Sequence, residues 1–195
     1  MDMFYDDLPI TEVAPCVFHT KFLTPEYCKY IIQLCDAHNY WTTDLASYAT
    51  CDIPFEIHFP DLVDSLQKAF VNRFRHGQLQ EYLRSEFTDF YTIFAIKYQA
   101  GTQTSLALHS DDSYITASIK LNDDYEGGEL NFPRQEYTNK DCEVGDVIVF
   151  PGSLSHPHEC LELASGTKYS LTLWTKYPDI DYGDDEPDID YGDAK

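Results

Sequence analysis

Basic residues are scarce in this chain: 13 lysines and arginines stand against 34 aspartates and glutamates, for a formal charge of -21 at pH 7. A surface this acidic is repelled by phosphate backbones and anionic headgroups and has few cations with which to displace counterions, which argues against a nucleic-acid or anionic-membrane binder. Missing too is any apolar run approaching the roughly 18 residues that would cross a bilayer. The N-terminal stretch holds Asp2, Asp6, Asp7 and Glu12 where a secretory leader would carry cations and then an apolar segment. No CxxC occurs among Cys16, Cys28, Cys35, Cys51, Cys142 and Cys160, so a paired-cysteine zinc site is disfavoured and reduced thiols are expected. These absences predict a cytoplasmic protein without membrane association.

What is present falls into a helical part and a strand-rich part. A length of 195 residues suits one domain with one core. Thr24 followed by Pro25 reads as a helix start, a capping hydroxyl before a residue whose φ suits the first turn; Cys28, Ile31, Ile32 and Cys35 then recur at helical spacing. A helix over about 25–37 follows. Leu62, Val63, Leu66, Phe70 and Phe74 predict a second helix from Pro60 to about Arg75, stopped by Gly77. Residues 1–20 carry little pattern. From Phe90 on, Phe90–Tyr98, Tyr114–Leu121, Glu129–Phe132, Asp146–Phe150 and Lys168–Thr175 are short aromatic or β-branched runs punctuated by Gly, Asn, Asp and Pro, and read as strands. Helices followed by strands predict an α+β fold with a β-sandwich or jelly-roll core: a helical part over about 20–85, a core over about 90–177. The remainder, 178–195, repeats itself from Pro178 and again from Pro187 and carries eight acidic residues and one lysine. Such a segment is expected to be a disordered, solvated tail, with partner docking as the alternative.

The chemistry-bearing residues cluster late. On a strand, residues i and i+2 face one way, so His109 and Asp111 can grip one metal. Alone, this HxD is a weak signal that a polar residue beside a solvated turn would equally explain. Downstream, Phe150-Pro-Gly152 runs through a turn into His156 and His158, either of which can complete a two-histidine, one-carboxylate set of the kind that holds non-haem Fe(II). Lys168 then opens a strand on which Lys168, Ser170, Thr172 and Trp174 share a face. A lysine and a hydroxyl there can hold a carboxylate. His19, His38, His58 and His76 show no partner pattern, and Tyr40 and Trp41 read as packing.

Five ordered blocks carry a family resemblance: Tyr98-Gln-Ala-Gly-Thr-Gln-Thr-Ser-Leu-Ala-Leu-His109-Ser-Asp111, Leu121-Asn-Asp-Asp-Tyr-Glu-Gly-Gly-Glu-Leu-Asn-Phe-Pro133, Gly145-Asp-Val-Ile-Val-Phe-Pro-Gly152, His156-Pro-His158-Glu, and Gly166-Thr-Lys168-Tyr-Ser-Leu. Over about 90–176 the chain resembles the Fe(II)/2-oxoglutarate-dependent prolyl 4-hydroxylases and procollagen lysyl hydroxylases. The resemblance implies a double-stranded β-helix backed by N-terminal helices, with His109, Asp111 and His158 as iron ligands. By the same matching Lys168 anchors the far carboxylate of 2-oxoglutarate, helped by Tyr98 and Ser170. The family's ten-residue spacing to the basic anchor favours His158 over His156. Implied chemistry is hydroxylation of a peptidyl prolyl or lysyl side chain, with O2 consumed, succinate and CO2 released, and ascorbate as a candidate reductant. The resemblance leaves the substrate open: the blocks around His109 and Asp124-Tyr-Glu-Gly-Gly lie nearer the lysyl enzymes, whereas lysine at 168 is the prolyl choice. Nucleic-acid demethylation by the same cofactors is the alternative, opposed by the acidic charge, and a peptide-binding member without turnover is another.

Overall fold

The computed structural model describes residues 2–5, 8–42, 50–74 and 90–178. In chain order the elements are β1 (Thr11–Ala14), β2 (Val17–Lys21), α1 (Pro25–His38), β3 (Asp52–Pro54), α2 (Phe55–His58), α3 (Pro60–Phe74), β4 (Phe90–Gln99), β5 (Leu106–His109), β6 (Ile115–Lys120), β7 (Tyr125–Gly127), β8 (Leu130–Phe132), β9 (Tyr137–Thr138), β10 (Asp146–Pro151), β11 (His158–Cys160) and β12 (Leu163–Thr175). Two antiparallel sheets carry the molecule: a large one ordered β1-β2-β10-β6-β12-β4-β3, with β7 also on β12, and a small one ordered β5-β11-β8-β9. The predicted jelly-roll core with helices on one side is what these sheets build.

Helix α1 begins as its sequence dictates. Thr24 is extended (φ -72°, ψ 149°) and its hydroxyl accepts the Tyr27 N–H at 3.3 Å, satisfying one of the orphan donors of the first turn. It ends where Asn39 turns left-handed and donates its N–H to the Cys35 carbonyl. The buried face of α1 (Tyr27, Cys28, Ile31 and Cys35) and that of α3 (Leu66, Phe70 and Phe74) join Phe22, Ile93, Ala95, Leu171 and Leu173 in one core on the outer side of the large sheet. Each such side chain is worth about 1.5–3 kcal/mol on burial. Because strand alternation puts Tyr169, Leu171 and Leu173 against this core, Lys168, Ser170, Thr172 and Trp174 turn to the other face, between the sheets.

Strands β1 and β2 were not foreseen. The reason lies in β2, where Val17, Phe18 and Thr20 are all buried; a strand covered on both faces loses the two-residue alternation by which strands are recognised. The short β3 and α2 also add to the expected elements, and β12 starts at Leu163, before the predicted Lys168. Gly77, His76, Pro187 and all of the acidic repeat beyond Pro178 lie outside the described residues.

His19, read as partnerless, is not: from β2 its Nε2 meets Asp146 Oδ2 at 2.8 Å. The hydrogen bond to Asp146, then that to Cys142, raises the imidazole from 6.5 to about 10, while Asp146 is held below its ordinary value, burial working against this and the His19 hydrogen bond winning. A base whose folded value is raised stabilises fully below its unfolded value and ceases to do so as pH climbs through the folded one. In metal-free protein the pair should therefore contribute most between about pH 4, where Asp146 of the unfolded chain ionises, and pH 6.5. Its contribution should fade from there to about pH 10. Denaturant midpoints of wild type and His19→Gln should converge as pH rises over that window; a constant gap would refute the account.

Candidate metal centre and its cavity

Topology brings the two histidines together. β5 ends at His109 and β11 begins at His158, and the two are directly opposed in the antiparallel pair, so their imidazoles project to one face; the ring centroids are 4.4 Å apart. Asp111 lies beyond the end of β5 and not on it, contrary to the strand reading. It reaches the same spot because its N–H donates to the Gly152 carbonyl at 2.8 Å. Oδ1 then stands 3.4 Å from His109 Nε2 and Oδ2 3.6 Å from His158 Nε2.

The donor atoms are prepared for a cation. His109 Nδ1 lies 2.8 Å from the Ala107 carbonyl and His158 Nδ1 3.0 Å from the His156 carbonyl. A carbonyl can only accept, so each Nδ1 carries the proton and each Nε2 lone pair faces Asp111. The carboxylate is oriented by the buried Thr116 hydroxyl, which donates to Oδ2 at 2.7 Å. Burial lowers the His158 value, keeping its imidazole neutral, whereas at His109 burial is outweighed by Asp111 and the Ala107 carbonyl and the value rises. Two neutralisable imidazoles and a carboxylate, all donor atoms within 4.8 Å, fit a divalent ion that takes nitrogen and oxygen.

Among the two candidate histidines only His158 stands here. His156 is buried and turned away, its Nδ1 against the Ser155 hydroxyl at 2.8 Å and its Nε2 against the Pro15 carbonyl at 3.0 Å.

A cavity of about 560 Å³ opens from this triad, lined by His109, Asp111 and His158 and by the inward face of β12. Lys168 sits in its wall, 5% exposed, and its Nζ donates to the Gly128 carbonyl at 2.7 Å and to Cys160 Sγ at 3.2 Å, over the Tyr98 ring at 4.6 Å. Among the described residues no carboxylate pairs with it. A buried ammonium with only a carbonyl, a sulfur and a ring for company lacks the counter-charge that would offset its desolvation. Tyr98 is paired with Lys168 across β4 and β12, and burial raises its phenol well above the ordinary range, so it stays a neutral donor. Ser170 lies two residues on, buried and lining the same cavity.

Two contributors, Thr116 and Cys160, had no signal in the sequence. Gly128, Asp52 and Pro54 also join the site, and Trp174, on the same face of β12 as Lys168, brings to the cavity wall an indole Nε1 that has no hydrogen-bond partner among the described residues. Gly152 is legible only afterwards: a Cβ there would lie 2.5 Å from the Ser113 carbonyl and 2.8 Å from Thr116 Oγ1, the hydroxyl that holds Asp111. Tyr40, expected to pack, is 62% exposed, though it stacks on His58, which bonds His38 at 2.9 Å. Thr116→Val keeps the volume and removes the donor to Asp111. Fe(II) affinity in an anaerobic titration should fall about 10- to 100-fold, and an unchanged affinity would mean that the hydroxyl does not orient the carboxylate.

The strand-rich part of the chain is similar to known proteins. The family model of the 2OG-Fe(II) oxygenase superfamily matches residues 93–176. A procollagen lysyl hydroxylase and glycosyltransferase of Acanthamoeba polyphaga mimivirus is 26% identical over 179 residues, 86% of this chain and 20% of that protein. The procollagen-lysine,2-oxoglutarate 5-dioxygenase of Drosophila melanogaster is 26% identical over 176 residues, 83% of this chain and 24% of that protein. The chain thus spans about a fifth to a quarter of the length of these relatives. Among solved structures, the viral collagen prolyl hydroxylase of Paramecium Bursaria Chlorella virus-1 in its 2OG complex superposes with a TM-score of 0.60 at 19% identity, covering 83% of this chain and 96% of that one. A Pseudomonas putida prolyl-4-hydroxylase superposes with a TM-score of 0.56 at 20% identity, covering 83% and 92%. At these identities the structural likeness establishes the fold.

Proposed function

We propose that this chain, which matches the 2OG-Fe(II) oxygenase superfamily model over residues 93–176, is an Fe(II)- and 2-oxoglutarate-dependent dioxygenase hydroxylating a lysyl or prolyl side chain of a peptide or protein. One observation carries the reading: a single cavity holds a convergent His–Asp–His set and a buried lysine that has no counter-anion among the described residues. A dicarboxylate co-substrate answers both, one end directed to the metal and the other to the ammonium.

His109, Asp111 and His158 would hold the iron. Iron and 2-oxoglutarate together supply the oxidation, consuming O2, releasing succinate and CO2 and delivering one oxygen atom to a substrate C–H bond. The chain's own part is geometric and electrostatic. Lys168, fixed by Gly128 and Cys160, takes the distal carboxylate, with the Tyr98 phenol and Ser170 hydroxyl as neutral donors beside it. Phe94, Leu106, Leu130 and Trp174 line the rest of the cavity and limit water there. Among the described residues no helix is long and apolar enough to cross a membrane, and all six cysteines are free thiols; a cytoplasmic setting is part of this proposal.

The test is anaerobic Fe(II) loading followed by succinate measurement with 2-oxoglutarate and O2, then a peptide array scored for gain of one oxygen atom on lysine or proline. Peptides spanning Pro178 and Pro187 belong on the array as candidate self-substrates. Absence of succinate release from iron-loaded protein would overturn the reading; turnover only on alkylated oligonucleotides would move it to demethylation.

A further inference from the structure

We propose that His19, Cys142 and Asp146 form a second metal site, structural in role and suited to a zinc-class divalent ion. Among the described residues two groups place three metal-ligating side chains with their donor atoms within 4.8 Å of one another, and this is the one outside the cavity.

The three side chains come from a rigid frame. His19 lies on β2 and Asp146 opens β10, and the two strands pair with Asp146 opposite Lys21 and Ile148 opposite His19, so His19 and Asp146 project to one face two residues apart in register. Cys142 lies on the turn before β10. Its N–H donates to the Asn139 carbonyl at 3.1 Å, its carbonyl accepts Lys120 Nζ at 2.8 Å, and Gly145 of the same turn donates to the Lys120 carbonyl at 2.8 Å. Cys142 belongs to a buried cluster with Val17, Leu130, Phe132 and Ile148, and its Sγ lies 3.8 Å from the Tyr137 hydroxyl oxygen. Asp146 is 3% exposed, and its carboxylate is aimed by the Glu143 N–H on Oδ2 at 2.8 Å and by Lys21 Nζ on Oδ1 at 3.5 Å. Charge balance and orientation of the carboxylate are thus supplied from outside the cluster, as second-layer partners do at metal sites.

Donor chemistry selects the ion. One imidazole nitrogen, one sulfur and one carboxylate oxygen suit a borderline-soft ion, whereas sulfur is a poor ligand for magnesium or calcium. Zinc bonds of about 2.0–2.3 Å place tetrahedral ligands roughly 3.3–3.7 Å apart. An ion would part His19 Nε2 and Asp146 Oδ2, now 2.8 Å apart, by about half an ångström, and the Cys142 sulfur lies within 4.8 Å of both. The side chain of His19 is 30% exposed, which gives an ion a way in and leaves a fourth position to solvent. A bound ion would tie β2 to the turn leading into β10, the strand whose far end carries Pro151 next to Gly152, the seat of Asp111. A plain His–Asp ion pair with a thiol beside it is the competing account, and it predicts no metal-thiolate bond.

The experiment is ¹¹³Cd NMR on the full chain loaded with two equivalents of cadmium, with denaturant unfolding of zinc-loaded and chelator-treated protein alongside. Two resonances are expected, one typical of nitrogen and oxygen ligands and one displaced downfield by a single sulfur. The second should vanish in Cys142→Ser and in His19→Gln while the first stays. Zinc should raise the denaturant midpoint of Asp111→Ala, in which the cavity site is disabled, but not of the double variant Asp111→Ala/Cys142→Ser. A wild-type spectrum without a sulfur-shifted resonance would overturn the proposal, as would a sulfur-shifted line that survives Cys142→Ser. Neither readout depends on turnover, so this site and the dioxygenase reading stand or fall separately.

Discussion

Asp111→Ala is expected to lower 2-oxoglutarate-dependent succinate release about a thousandfold or more, as loss of one member of a unit that acts together does. Asp111 is the only anionic member of its triad, its oxygens lying 3.4 and 3.6 Å from the two imidazole nitrogens, and without it two neutral histidines hold a divalent ion weakly. His158→Ala should do the same. The contrast that gives the test its edge is His156→Ala: that imidazole spends both nitrogens on Ser155 and on the Pro15 carbonyl, so its loss should cost stability, on the order of 1–3 kcal/mol for the partners left unsatisfied, while Fe(II) stoichiometry is kept. Anaerobic titration and succinate assays on the three variants decide. Turnover surviving in His158→Ala and lost in His156→Ala would reverse the ligand assignment.

Lys168→Met should raise the 2-oxoglutarate concentration needed for half-maximal succinate release by about a hundredfold, the size expected when a charge-assisted contact worth roughly 3 kcal/mol is removed. The thioether fills similar space and takes away a buried ammonium whose partners are a carbonyl, a sulfur and an aromatic ring. Removing such a charge is neutral or stabilising, so the folded state should resist denaturant as well as wild type or better. This pairing of weakened co-substrate binding with undiminished stability separates a binding cation from a structural one. If the half-saturating concentration moved less than about threefold, or if stability fell by several kcal/mol, Lys168 would be a core-building residue.

Legibility tracked the range over which each signal acts. Helix α1 was readable because Thr24, Pro25 and the spacing of Cys28, Ile31 and Cys35 are all local, and β12 because alternation along Lys168 to Trp174 marks its two faces. β2 was unreadable for the opposite reason, since both of its faces are covered. The i, i+2 argument that joined His109 to Asp111 reached the right neighbours by an incomplete route: the strand ends at His109, and the carboxylate arrives through the Gly152 carbonyl and the Thr116 hydroxyl. His19 looked solitary because its partner Asp146 lies 127 residues away, a separation at which no periodicity survives.

By itself the sequence determined the α+β class, the strand-rich second half, the ordered blocks that carry His109, Asp111 and Lys168, and an acidic charge hostile to polyanions, all of them properties of neighbouring residues or of the whole composition. Tertiary structure decided which histidine faces Asp111, what aims that carboxylate, that Lys168 meets no carboxylate among the described residues, and that His19, Cys142 and Asp146 converge. Those outcomes depend on strand register and on turns that bring distant segments within hydrogen-bonding reach, and register is set by how two sheets pack, which no local pattern encodes.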